Sequence, residues 1–355
     1  MLKRYLSALL SICLIVSLAA CGASGGSSAP SASSASTAAS TSEVSDPFAD
    51  GPTYTLKLGH VQSTTHPYNI GAEAFASKLN ELTGGKVTVN IFPGSQLGGE
   101  IDMIESCQMG NLDFVVAGTS NLTNFDPTFT AFDFPFLFQN REHAYAVLDG
   151  EFGQTKLEKL KESGLIAFHY WENGFFDIMN GKKEITKIEE MRGLNIRTMQ
   201  NPVYLAAFAA MGANPVPMPP AEVYTALQNG TVDGNCLSIN GIYGFKFYEV
   251  QSTYMIADMF FCALPLVMSK TLYDNMPEAY QHAVTEASQY AMEIERQATV
   301  DQEATNLAAM VESGITVTNP ENRGDWVKLM EEQVYPQFAK QVSQEDIDTI
   351  RSYAK

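Results

Sequence analysis

Basic residues are scarce in this chain. Lys and Arg number 22 against 40 Asp and Glu, for a formal charge of −18. That balance argues against binding to nucleic acid or adhesion to anionic lipid surfaces. Cysteine is scarce too, at 5, with no CxxC spacing. Cys13 and Cys21 lie near the start. Cys107, Cys236 and Cys262 remain, an odd set that reads as small core residues. The five histidines at 60, 66, 143, 169 and 282 include no pair four residues apart, so no metal site is expected. No G-x-S-x-G, H-E-x-x-H or P-loop pattern occurs. Neither an enzyme nor a cofactor-binding protein is therefore expected. The first apolar run, Tyr5 to Val16, is too short to span a membrane.

What is present begins at that run. Lys3 and Arg4 precede it, and Leu18-Ala19-Ala20-Cys21 closes it. This pattern resembles the bacterial lipobox, so residues 1–21 read as a lipoprotein signal peptide ending at lipid-modified Cys21. Loss of Lys3 and Arg4 would take the mature chain to −20. Residues 22–52 are mostly Gly, Ala, Ser, Thr and Pro up to Ser45. They bury too little to fold, and so read as a flexible tether reaching about 30 Å. The expected location is extracytoplasmic, anchored by lipid on the outer face of the cell membrane or in the periplasm.

The remaining stretch is long enough for two domains. Tyr54-Thr55-Leu56-Lys57-Leu58 alternates as a strand. Apolar spacing predicts helices over 68–83 and 100–109, with strands at Val87–Ile91 and Phe114–Ala117. The pattern returns as a strand at 194–197, a helix capped by Asn201-Pro202, a strand at 215–218, a helix at 222–228 and a strand from Val232. Each half contains one similar join, Gln108-Met109-Gly110-Asn111-Leu112-Asp113 and Gln228-Asn229-Gly230-Thr231-Val232-Asp233. In both, glycine should leave the helix in a left-handed conformation. No Gly or Pro falls between Pro277 and Gly314, which predicts one helix of roughly 36 residues tying the halves together. The fold class expected is α/β, with two open sheets facing across a crevice at the carboxyl ends of their strands. Hinge closure of such halves would trap a ligand.

Arg197 stands out on pattern. It closes an apolar strand just before a capped helix, where its planar fork could hold a carboxylate through two parallel hydrogen bonds. A surface salt bridge is the other reading of the same position.

Here the sequence resembles a known family. Met191-Arg192-Gly193-Leu194-Asn195-Ile196-Arg197-Thr198-Met199-Gln200-Asn201-Pro202 looks like the most typical segment of TRAP-transporter solute-binding proteins, the DctP-like family. Gly212 to Pro219, Tyr224 to Gly234, Gly94 to Gly98, Phe134 to Phe138, Trp171 to Phe175 and Phe245 to Val250 look similar too. The resemblance implies a venus-flytrap receptor, periplasmic-binding-protein-like, with a long helix spanning two α/β domains. It implies delivery of an organic acid to a permease of one small and one large membrane subunit, driven by a sodium gradient. It also implies that Arg197 grips the ligand carboxylate. Domain I would comprise 53–174 plus about 263–300, and domain II 175–262 plus about 301–355. A monomer is expected. A ligand-presenting co-receptor for a membrane sensor kinase is the rival role.

This chain departs from the family pattern at three points. A common second arginine is Phe176, a usual aromatic is Pro220, and a ligand-contacting asparagine is Leu237. One expectation is a monocarboxylate with an apolar or aromatic body facing those residues. The other is that Gln62, Trp171, Asn235 or Asn240 replaces the lost contacts, and that the ligand is a sugar acid or dicarboxylate.

Overall fold

The structure, a computed structural model, describes residues 46–354. The expected signal peptide, the expected lipid site at Cys21 and the expected tether as far as Ser45 lie outside the described residues.

The first half runs β1 (Tyr54–Gly59), α1 (Pro67–Leu82), β2 (Val87–Phe92), α2 (Glu100–Gln108), β3 (Phe114–Val116) and a short α3 (Thr119–Leu122). Helices α4 (Arg141–Asp149) and α5 (Glu151–Lys159) lead into a long strand, β4 (Leu165–Asn180). The second half repeats the alternation with β5 (Asn195–Thr198), α6 (Pro202–Ala210), β6 (Asn214–Pro217), α7 (Pro220–Gln228), β7 (Gly234–Leu237) and α8 (Ile239–Gly244). A second long strand, β8 (Thr253–Ser269), and a short α9 (Lys270–Asp274) precede α10 (Glu278–Glu312). The chain ends with β9 (Thr316–Thr318), α11 (Arg323–Gln333) and α12 (Gln344–Ser352).

Both halves place their first strand in the middle, as β2-β1-β3 and β6-β5-β7, all parallel. The echo in the sequence is therefore an echo in space. Gly110 and Gly230 both leave their helices at φ +76, a conformation that costs glycine no Cβ clash. The aspartates that follow do the same work. Asp113 accepts the Lys57 amide at 2.7 Å, and Asp233 accepts the Asn195 amide at 2.8 Å. The first holds the middle of β1 and the second the start of β5, the central strand of each half.

The expected pair of separate sheets is corrected in one respect. β3 pairs antiparallel with β8, β8 with β4, and β4 with β7, so one hydrogen-bonded path crosses the whole molecule. The β4–β8 ribbon slips register at Ala167/Tyr170, Glu172/Gly174 and Phe176/Ile178. Pro265 pairs Tyr170 beside the first slip, where a residue without an amide hydrogen does least harm. Gly174, at φ +74, pairs Cys262 beside the second. These slips bend the ribbon where one half passes to the other.

Helix α10 has 35 residues and packs on α1, β4 and α8, so it touches both halves. Its approach to α1 is close. A Cβ on Gly71 would lie 2.8 Å from the Glu295 Cβ. The assignment of residues 301–355 to the second half needs amending at its end. The His143 ring of α4 meets the Ile350 carbonyl of α12 at 2.7 Å, and Lys156 of α5 lies 3.8 Å from Asp346. The final helix thus covers the first half, through partners too distant in sequence to be read from pattern.

Candidate functional site

Arg197 is the penultimate residue of β5, four residues before the Asn201 cap of α6. It is wholly buried, as are its neighbours. Its Nε and Nη2 donate to the Met218 carbonyl at 3.0 and 2.8 Å. Its Nη1 has no hydrogen-bond partner among the described residues. Asn235 lies directly beside it on the paired strand β7. Both polar atoms of the Asn235 amide also lack a partner among the described residues. Burial pulls the guanidinium down to about 10, while Cys236, Tyr204 and Glu100 hold it up. It remains a cation at neutral pH.

The facing half presents further polar atoms in the same condition. His60 Nδ1, Gln62 Oε1, His66 Nε2, Thr119 Oγ1 and Trp171 Nε1 are buried without partners among the described residues. The contacts run continuously. Tyr68 packs edge-on against His66 and His60, with centroids 4.6 and 6.3 Å apart. Burial raises its phenol well above the usual range, reinforced by Cys262, Glu100, Glu295 and Tyr204. Glu100 opens α2, accepts the Gly118 amide and feels the charge of Arg197 across the gap. Burial raises its carboxyl. Burial lowers His60 to about 4 and His66 to about 3, so both rings are neutral at pH 7. An unpaired polar atom in a dry interior costs about 1–3 kcal/mol, and such a group of them is spared only where something else can satisfy it.

The other sequence candidates fall differently. Phe176 is buried with its ring 6.3 Å from Tyr204, which stacks on Phe260 at 4.0 Å. Leu237 is buried against Gly241, whose Cβ position lies 2.8 Å from it. Pro220 is half-buried at the first turn of α7. Asn240 is buried and partly committed to the protein. Its amide donates to Thr299 O at 3.0 Å and accepts from Asn306 at 2.7 Å. Both ends hold α10 to α8, which leaves one amide hydrogen and one lone pair uncommitted. Sequence reasoning missed Glu100, Tyr68, Thr119, Tyr204 and the two histidines as members of this group. An acid in the first turn of a helix reads as ordinary dipole compensation.

The larger surface hollows lie elsewhere. One of about 600 Å³ between Pro202, Leu205, Pro217 and Phe338 has no charged residue in its wall. Arg197 Nη1 and both polar atoms of the paired Asn235 amide form the one adjacent set that joins a buried cation to unpartnered polar atoms among the described residues.

Two buried carboxyls make stability depend on pH. Asp177 accepts the Ala257 and Asp258 amides and the Tyr254 hydroxyl. Asp133 accepts from Ser120 and Asn201. Burial is the first cause that pushes each up to about 7. The unfolded carboxyl releases its proton near pH 4. Between these values the native state binds more protons, so stability falls as pH rises through the window. Each carboxyl favours pH 5.5 over 7.5 by about 2 kcal/mol, while neutral His60 and His66 each oppose it by about 1.4 kcal/mol as the unfolded imidazole takes up a proton, so thermal denaturation should show a modestly higher Tm at pH 5.5. D133N with D177N should reverse the difference.

The profile of the DctP family, "Bacterial extracellular solute-binding protein, family 7", matches residues 58–341. The 2,3-diketo-L-gulonate-binding periplasmic protein YiaO of Escherichia coli is 33% identical over 82% of this chain and 88% of its own. A TRAP periplasmic solute-binding protein of Sulfurospirillum deleyianum with bound succinate is 34% identical, with TM-score 0.81 over 85% of this chain and 99% of that one. One from Polaromonas bound to D-erythronate is also 34% identical, with TM-score 0.81 over the same shares. The family match and the fold thus define an extracellular solute-binding receptor of the TRAP type, not an enzyme. The chain belongs to solute-binding protein family 7, the DctP family. No helix among the described residues is long and apolar enough to cross a membrane.

Proposed function

We propose that this receptor binds a hydroxylated monocarboxylate of the sugar-acid type. Its carboxylate would take the free Nη1 of Arg197 and the Asn235 amide, and its hydroxyls would satisfy Gln62, Thr119, Trp171 and Glu100. The observation that supports this reading is the company Arg197 keeps. A buried cation is surrounded by neutral donors and acceptors that lack partners among the described residues. An apolar body would leave them unsatisfied, each at about 1–3 kcal/mol. Phe176, Pro220 and Leu237 then shape the wall. A second carboxylate would face Glu100, a like charge with no second arginine to offset it. The YiaO and erythronate-bound relatives point the same way; the succinate-bound one points to the alternative.

The bound acid would pass to a permease of one small and one large membrane subunit, with the receptor held nearby through lipid on Cys21. It would act as a monomer.

Calorimetry on the protein from Asp46 onward tests the ligand class. D-erythronate and D-galactonate should bind at least tenfold tighter than succinate, malate or phenylacetate. The reverse order removes the proposal. Glu100→Gln should narrow the gap between erythronate and succinate by roughly tenfold, since it removes one like-charge contact.

A further inference from the structure

Asn201 caps α6, its Oδ1 accepting the Val203 amide at 2.8 Å. Its other end leaves its own half altogether. Nδ2 donates to the Ser120 carbonyl at 2.9 Å and to Asp133 Oδ2 at 2.8 Å, and reaches Thr123 Oγ1 at 3.3 Å. Those partners belong to α3 and to the turn Pro127–Asp133, on the first half. Tyr204 follows three residues on, hence on the same helix face, and meets Ser120 Oγ at 3.4 Å. Ser120 Oγ in turn donates to Asp133 Oδ1 at 2.7 Å. All four side chains are buried, none more than 1% exposed. α3 and the α6 cap both sit at the carboxyl ends of parallel strands, the two edges that face one another across a crevice.

We propose that Asn201 is a closing latch: a positioning residue that sets how long the two halves stay shut without itself touching the ligand. This rests on the reading of the protein as a receptor whose halves close on an acid. Every polar atom of Asn201 is already committed to the protein, unlike those of Arg197 and Asn235. In an opened molecule the amide, Ser120 and Asp133 would all face water. Closing exchanges those water contacts for three protein contacts of similar strength, a modest net gain. It also dries a carboxylate whose hydrogen-bond donors here, Ser120 and Asn201, are neutral. The latch therefore leaves closure under ligand control. Removing it lowers the closed fraction, and apparent affinity falls with that fraction.

Two substitutions separate the latch from the cap. Serine and aspartate both cap helices about as well as asparagine. Asn201→Ser is too short to reach Asp133. Asn201→Asp, measured at pH 8 where Asp133 is ionised, sets one carboxylate against another. D-erythronate and succinate serve as probe ligands, measured by stopped-flow release. Spin labels at Glu81→Cys and Asn229→Cys, both exposed and on opposite halves, report the distance between the halves. Release should speed up about tenfold in Asn201→Ser and further in Asn201→Asp, since lost interface contacts act mainly on dissociation. The label distances should shift towards longer values in the same order. Wild-type release rates and distances in both variants would overturn the latch alone. A wild-type protein whose label distance ignores both probes would overturn the closing receptor and the latch with it.

Discussion

Arg197→Ala is expected to weaken carboxylate binding by about 10²–10³-fold, because charge-assisted hydrogen bonds from a guanidinium are worth roughly 1.5–3 kcal/mol each. Arg197→Lys should fall between. It keeps the charge but loses the planar fork that spans Met218 O on one side and the free Nη1 on the other. The ligand-free protein should respond in the opposite direction. Arg197 is buried without a salt bridge among the described residues, and Glu100 is the carboxylate whose charge favours it. Replacing such a cation with an apolar residue of similar volume is often neutral or stabilising. Arg197→Met should therefore raise the Tm of the free protein, or leave it unchanged, while abolishing the thermal shift with D-erythronate. A loss of Tm comparable to the loss of binding would mean that the arginine is structural.

Much of the scaffold was legible because punctuation in the sequence has a steric cause. The absence of Gly and Pro from 278 to 313 marks α10 to within a residue or two. The two Gly-x-apolar-Asp joins predicted a left-handed exit, and both glycines adopt it. The strand expected from Val232 begins two residues later, at Gly234. Asp233 holds Asn195 of the neighbouring strand through both its side chain and its backbone amide just before β7 starts. The ribbon β4–β8 was not read as strands. Phe260, Phe261, Cys262, Ala263 and Leu264 are buried in succession, and a strand covered on both faces has no alternation to detect. The candidate site was legible where a residue type was out of place. An arginine at the end of an apolar strand is such a case. Glu100 and Asn201 were not, since each also does a routine helix-end task. The structural bonds of Asn240 were not legible because its partners lie 59 and 66 residues away on α10.

The bend between the halves carries a buried ion pair, and Arg141→Met should destabilise the protein by roughly 3–5 kcal/mol, the usual cost of stranding one buried charge. Arg141, the first residue of α4, donates Nε to both Glu172 oxygens at 2.7 and 2.9 Å. Its Nη2 reaches Glu303 of α10 at 2.6 Å. One guanidinium thus joins the flank of the first half, the ribbon and the long helix. Glu172 is fully buried beside the register slip at Gly174. Burial holds its carboxyl up at about 7 even against the pull of Arg141 and the Tyr145 hydroxyl at 2.9 Å. Without the arginine, Tyr145 and the slipped ribbon cannot carry an ionised carboxylate, so Glu172 should take up a proton at neutral pH. The loss should therefore shrink as pH falls below 7, where the stranded group is already neutral. Glu172→Gln in the Arg141→Met background should recover at least half of it, because an amide in the same space leaves no charge to strand. Urea denaturation of both single variants and the double variant gives the coupling directly. A single-variant loss below about 1 kcal/mol, typical of exposed pairs, would show that the bend is held by the ribbon and α10 alone.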